Sequence, residues 1–264
     1  MPHTPYAPEA IAFASRIHTV ADLPFPAMPA PPYRQTENGR WRFSDIVLAA
    51  SRGYFTGTQI LPWTVPVLAR DGICWMSVTP CEMESQMPPL TAARGTVVVC
   101  GFGLGVMAYA VSALKAVDRV IVVERDPDVI RMGRDFTCLD DWPQRHKVEI
   151  VQSDALEFHF QGADFLYADI WPYYRMDSMV RDMRIMHANI PAPQCAYWGQ
   201  EIDMVDHAAS HGVRDEDFSQ HHIDDFCHRH GLPLIGAGIP GYPRLCILAA
   251  RNPAIGGTRH PIQA

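Results

Sequence analysis

The sequence predicts an α/β protein: a doubly wound, mostly parallel seven-stranded sheet with an antiparallel edge strand, preceded by a small N-terminal strand-bearing module. Three observations carry that expectation. Between residues 96 and 198, apolar runs of strand length alternate with helical stretches, the βαβ rhythm of a parallel sheet with helices on its faces. Gly101, Gly103 and Gly105 crowd the junction between the first such run and the helix after it. Carboxylates stand at or just beyond the ends of the next three runs, at Glu124, Asp154 and Asp169.

Taken in order, residues 1–90 read as a proline-rich lead-in followed by the small module. Pro2, Pro24, Pro26, Pro29, Pro31 and Pro32 remove N–H donors and fix φ, which disfavours long helices. Residues 41–43 and 73–78 are short aromatic and β-branched runs, punctuated by Gly53, Gly57, Pro62, Pro66 and Gly72. Residues 91–264 form the second unit. Its expected strands are 96–100, 119–124, 148–152, 164–168 and 194–198. Its expected helices are 106–116, one opened by Asp126 with Pro127 in its first turn, 174–189 with methionines at spacings of three and four, and 217–230. The runs 234–239 and 245–250 flank Gly241-Tyr242-Pro243 and are expected to close the sheet as an antiparallel pair.

Bulk properties narrow the function. A chain of 264 residues, 48% of them hydrophobic, buries a substantial core. A net charge of −7 has the wrong sign for broad capture of nucleic acid or anionic lipid, so the expected partner is a small-molecule substrate, with no nucleic acid and no membrane, and with room for a homodimer. Seven cysteines without a close CxxC pair fit reduced thiols in a cytoplasmic enzyme. The start, Met1-Pro2-His3, lacks the basic flank and apolar run of a signal peptide, and no run of eighteen apolar residues occurs.

A glycine cluster between strand and helix lets a ligand approach where any Cβ would collide, beside the unpaired N–H groups of a helix start. A dinucleotide fingerprint needs its third glycine at position 106, which is Val106; here it comes one residue earlier, at Gly105, and this argues against NAD. Glu124 is placed to accept the two hydroxyls of a ribose. Asp154, in Ser153-Asp154-Ala155, is placed to accept from an adenine amino group.

With these residues in order, the segment resembles the class I methyltransferases that use S-adenosyl-L-methionine (SAM). The resemblance implies that Gly101, Phe102, Gly103 and Gly105 line the cofactor, that Glu124 binds its ribose with Arg125 among the cofactor contacts, that Asp154 and Ala155 hold its adenine, and that Asp169 faces its methionine end. Cys100 stands where many such enzymes carry an acidic residue, and so joins the candidate cofactor contacts. The approach to the glycine strand, from Glu82-Met83 to Pro88-Pro89-Leu90, is similar to that of polyamine (aminopropyl) synthases, which share the fold and carry a β-rich N-terminal domain. This chain departs from them at Leu104, where their loop has an Asp, and at Trp171-Pro172, where they place a catalytic Asp.

Displacement at a sulfonium carbon needs positioning more than strong acids and bases. Asp169-Ile170-Trp171-Pro172-Tyr173-Tyr174 follows the fourth strand, where ligands bind in open α/β sheets, and Asp169, Tyr173 and Tyr174 are the catalytic candidates. An aromatic loop packed on the sheet edge is the plainer alternative. The expected activity is methyl transfer to a small metabolite. Two alternatives stay open. One is attack at the SAM γ-carbon with release of methylthioadenosine, by 3-amino-3-carboxypropyl transfer or by cyclisation to azetidine-2-carboxylate. The other is a non-catalytic SAM-binding module. Glu82, Glu84 and Gln86 suit either a polar lid or an exposed loop. His221, Asp225 and His228 share a helix face and read as a solvated surface, so no metal is expected.

Overall fold

The computed structural model describes residues 23–25, 28–34, 37–38, 40–60 and 64–255. Pro2, Pro26, Pro62 and the Met1-Pro2-His3 start lie outside the described residues.

The N-terminal part is antiparallel. Strands β1 (Glu37–Asn38), β2 (Trp41–Val47), β5 (Thr64–Arg70) and β6 (Ile73–Ser77) form one sheet in the order β1-β2-β5-β6. Strands β3 (Ala50–Arg52) and β4 (Thr58–Ile60) pair as a separate two-stranded ribbon. Two short helices follow, α1 (Pro80–Ser85) and α2 (Met87–Leu90), and α1 opens on a Thr79 cap with Pro80 in its first turn.

The second part is the expected βαβ succession: β7 (Gly95–Cys100), α3 (Val106–Ala113), β8 (Val117–Glu124), α4 (Pro127–Phe136), β9 (Val148–Gln152), β10 (Phe165–Ala168), α5 (Met179–Asn189), β11 (Gln194–Tyr197), α6 (Gln200–Ser210), α7 (Gln220–His230) and α8 (Tyr242–Ala250). The five strands are parallel throughout, in the order β11-β10-β7-β8-β9. Central β7 is buried on both faces, with Val97 to Cys100 at most 1% exposed, which explains its uninterrupted apolar run. The chain winds outward from β7 through β8 and β9, then returns to the other side of β7 for β10 and β11. With right-handed crossovers, the helices of the two halves lie on opposite faces, and a crevice opens between β7 and β10 at their C-terminal ends.

The α/β class stands; its extent is smaller than expected. The sheet has five strands rather than seven among the described residues, and the antiparallel edge pair is replaced. Residues 234–239 make only isolated bridges, both parallel, one between Leu234 and Cys195 and one between Gly236 and Gly238. Residues 245–250 belong to α8, which starts after Gly241 at φ 69° with proline in its first turn. Gly-Tyr-Pro is thus a helix start and not a hairpin turn. The buried positions Tyr242, Leu245, Cys246, Ala249 and Ala250 follow helical spacing, which a short apolar run conceals. Helix α5 likewise begins at Met179 and not at 174. Arg175 has φ 59°, outside the right-handed helical region, and its guanidinium is anchored by Asp206 at 2.6 Å and the Ala250 carbonyl at 2.8 Å.

One apolar core runs from Tyr33, Trp41 and Met76 through β7 and β10 to α8. Polar ties cross it. Asn252 donates to the carbonyls of Gly53 (2.7 Å) and Tyr54 (3.3 Å), and the Tyr54 hydroxyl donates to Glu201 (3.2 Å).

Candidate active site

A cavity of about 410 Å³ occupies the crevice. The glycine turn forms its floor. Gly101 has φ +96°, and a Cβ there would collide with the carbonyl oxygen of Asp169 on the neighbouring strand end. Only glycine lets β7 and β10 approach so closely here. Further along the loop, Leu104 is held from the N-terminal part: its N–H points at the sulfur of Met76 on β6 (3.0 Å) and its carbonyl accepts from the Tyr33 hydroxyl (3.1 Å).

Glu124 ends β8 facing this turn. Its carboxylate accepts from the Phe102 N–H at 3.0 Å and the Asp126 N–H at 2.9 Å, while burial raises its pKa against those bonds. A carboxylate offers about four lone-pair sites, so two remain for ligand hydroxyls. Asp154 accepts from the Leu156 N–H at 2.9 Å, which sets its carboxylate at the wall, 4.0 Å from the Arg125 guanidinium.

Across the cavity, Asp169 accepts at 3.4 Å from the Gln86 amide, which also donates at 3.4 Å to Glu82. Burial pushes Asp169 up to about 7. Burial first, and then the charge of Asp169, push Glu82 well above the carboxylate range. Tyr167 and Asp169 are two residues apart along one extended segment and so share a face.

Of the expected site residues, Gly101, Phe102, Gly103, Glu124, Arg125, Asp154, Ala155 and Asp169 line this one cavity. Cys100, Gly105, Tyr173 and Tyr174 are outside its lining. Cys100 is fully buried, and burial, aided by Asp154, pushes its thiol up to about 12. Gly105 caps α3 at φ 70° with Thr137 and Trp142 packed against it. The Tyr174 ring lies 3.7 Å from Trp198 and 5.8 Å from Tyr54, stacked with both. Glu84 is no lid: fully buried, it accepts from the Phe55 and Thr56 N–H groups at 2.8 and 3.1 Å. Asp225 is paired with Arg229 at 2.6 Å, and no group of three His, Cys, Asp or Glu among the described residues is disposed to hold a metal.

Other walls escape sequence reasoning. Trp41, Arg70, Trp75 and Met76 reach the cavity from the N-terminal sheet. Trp41 donates to Asp126 at 2.7 Å and packs edge-on against Trp75, with the Arg70 guanidinium 5.3 Å above its ring. Trp171 and Asp182 close the β10 side, joined by an indole N–H bond of 3.1 Å. Tyr167 alone carried a usable signal, its alternation with Asp169.

No protein-family model and no curated protein matches the sequence. Similar solved structures include spermidine synthase from Thermotoga maritima, with TM-score 0.36, 19% identity and 48% of each chain covered. An RNA methyltransferase from Salinibacter ruber, in complex with S-adenosyl-L-homocysteine, has TM-score 0.29 and 22% identity over 36% of this chain and 57% of that one. The SAM-dependent methyltransferase SibL in its apo form has TM-score 0.31 and 18% identity over 39% and 30%. The match thus spans about half, or less, of most of these chains.

Proposed function

We propose that the chain is a SAM-dependent transferase, with methyl transfer to a small-molecule metabolite as its reaction. One observation carries the reading: the glycine turn, Glu124, Asp154 and Asp169, distant in sequence, line a single cavity at the strand ends. The residues fit the cofactor's chemistry. Gly101 leaves a cradle that any Cβ would fill, Glu124 has lone pairs for two hydroxyls, and Asp154 has one for an amino group. When bound, SAM supplies a sulfonium-activated carbon for displacement. The chain's own part is to orient, to exclude water and to handle a proton. Trp41, Trp75 and Trp171 supply apolar walls, and Asp169, pushed up to about 7, is matched to accept a proton from an incoming nucleophile near neutral pH. The cavity volume falls in the range of small-molecule sites, and the net charge of −7 favours a small acceptor over a polyanion. Seven free thiols support a reducing, cytoplasmic setting.

A second reading uses the same cofactor but breaks its other carbon–sulfur bond, releasing methylthioadenosine. Asp169 and Glu82, bridged by Gln86, favour it, because a buried carboxylate beside an amine can remove the proton that keeps that amine from attacking a carbon. Product analysis after incubation with SAM alone, and then with a panel of acceptors, separates the readings. Adenosylhomocysteine appearing only with acceptor supports methyl transfer; methylthioadenosine formed without acceptor overturns it in favour of cyclisation. Tight SAM binding without turnover on any acceptor would leave a binding module.

A further inference from the structure

We infer that the cavity wall after β10, built from Ile170, Trp171, Pro172 and Met176, is the acceptor subsite, and that it takes an uncharged nucleophile with an apolar body, a phenol, alcohol or thiol, in preference to an ammonium or a carboxylate. This rests on the reading of the cavity as a nucleoside-cofactor site. Ile170, Pro172 and Met176 line the cavity and are only half-buried, so the fold leaves apolar surface uncovered beside the space for a ligand. An apolar concavity with a few placed polar groups is the usual form of a small-molecule site.

The polar atoms of this wall are spent on each other. The Trp171 indole N–H donates to one oxygen of Asp182 at 3.1 Å, and the other oxygen accepts from the Arg181 guanidinium at 2.9 and 3.1 Å. The indole therefore presents only carbon, and the one charge of the wall is already paired. The cavity's two cationic side chains, Arg70 and Arg125, stand elsewhere, by Asp126 and Asp154. A ligand carboxylate finds no free guanidinium at this wall, and a ligand ammonium finds no free carboxylate within it. Burying either charge unpaired costs far more than burying a neutral body. Asp169, immediately before Ile170, is the acid at the wall's edge, and its carboxylate can accept from a single ligand O–H or S–H. The wall is also fixed in place. Trp171 packs edge-on against Tyr197, with ring centres 6.0 Å apart, and Arg175 holds the loop through Asp206 at 2.6 Å and the Ala250 carbonyl at 2.8 Å. A wall held this way selects by polarity without first having to be ordered.

Titration calorimetry on the full chain saturated with S-adenosylhomocysteine tests the subsite with three probes: phenol, 1,3-diaminopropane and succinate. Phenol should bind wild type about tenfold or more tighter than either charged probe. Met176→Gln keeps the length of the side chain but replaces the thioether with an amide, and should weaken phenol about fivefold. Met176→Glu sets an unpaired carboxylate in the wall. It should weaken phenol by about tenfold and bring 1,3-diaminopropane level with it. An exchange in the order of the probes is a result that a merely structural role for Met176 does not produce. Either charged probe binding wild type as tightly as phenol overturns the subsite, and so does binding by none of the three. Both results are read on wild type alone and leave the nucleoside site standing. Phenol binding that neither variant alters, or parallel loss of all three probes in both, overturns the placement on this wall. Failure of S-adenosylhomocysteine to bind wild type overturns the nucleoside reading and the subsite with it.

Discussion

At the scale of single residues, Glu124 does two jobs with one carboxylate. It ties the Phe102 N–H to the Asp126 N–H, and it faces the cavity with lone pairs to spare. Glu124→Ala should therefore weaken S-adenosylhomocysteine by tenfold or more, since each hydrogen bond to a charged group is worth about 1.5–3 kcal/mol. Unchanged affinity by calorimetry would rule out the ribose role. The buried carboxyls give the ligand-free protein an unusual pH response. Burial pushes Asp169, Glu201 and Asp203 each up to about 7. In the unfolded chain such groups titrate near 4. Between those values the folded state holds protons that the unfolded state has released, so stability falls as pH rises through the window. The melting temperature should drop from pH 5 to pH 8, and Glu201→Gln with Asp203→Asn should flatten the decline; a rise over that range contradicts the assignment.

At the scale of elements, the strand-end glycine and the loop after β10 set the site's shape. Gly101→Ala meets two penalties, a φ of +96° and a backbone carbonyl in the way. It should destabilise the fold by about 2 kcal/mol or more and abolish nucleoside binding, as read from denaturant midpoints and calorimetry. Arg175 pins the loop that carries Trp171 and Pro172 by bonding Asp206 and the Ala250 carbonyl near the end of α8. Arg175→Ala should cost about 1 kcal/mol in stability, because a partly exposed ion pair contributes little. Its larger expected effect is raised proteolysis within residues 170–178. The same residue shows why α5 starts five residues later than the methionine spacing predicts while ending at the expected Asn189: a left-handed residue inside the run interrupts the helix. The C-terminal run failed differently. Six consecutive apolar residues satisfy both strand and buried helix, and only the neighbours packed around α8 choose.

At the scale of the molecule, the N-terminal sheet is a wall of the site. Met76 and Tyr33 hold both backbone groups of Leu104, while Trp41 and Arg70 reach Asp126. Asn252, near the other end of the described chain, ties back to Gly53 and Tyr54. With one core through both parts, thermal unfolding should be a single cooperative transition, and Asn252→Ala should lower it by about 1–3 kcal/mol by stranding buried carbonyls. Two resolved calorimetric transitions would instead mark the N-terminal part as a unit that melts alone. Among the described residues no helix is long and apolar enough to cross a membrane.

The parallel sheet, its glycine turn and the carboxylates at its strand ends were legible in the sequence because they depend on local rules: apolar runs of strand length, glycine where Cβ cannot fit, and acids where strands end. Those rules also bring Gly101, Glu124, Asp154 and Asp169 to one edge, since parallel strands share a direction. Tertiary structure decided what local rules cannot express. It turned residues 245–250 into a helix, buried Cys100 away from the cavity, stacked Tyr174 between Trp198 and Tyr54, and drew Trp41, Trp75 and Gln86 across to face Asp169 and Glu124. Each outcome depends on contacts between segments 20 to 150 residues apart, and in such contacts burial and packing, rather than spacing along the chain, set both geometry and protonation.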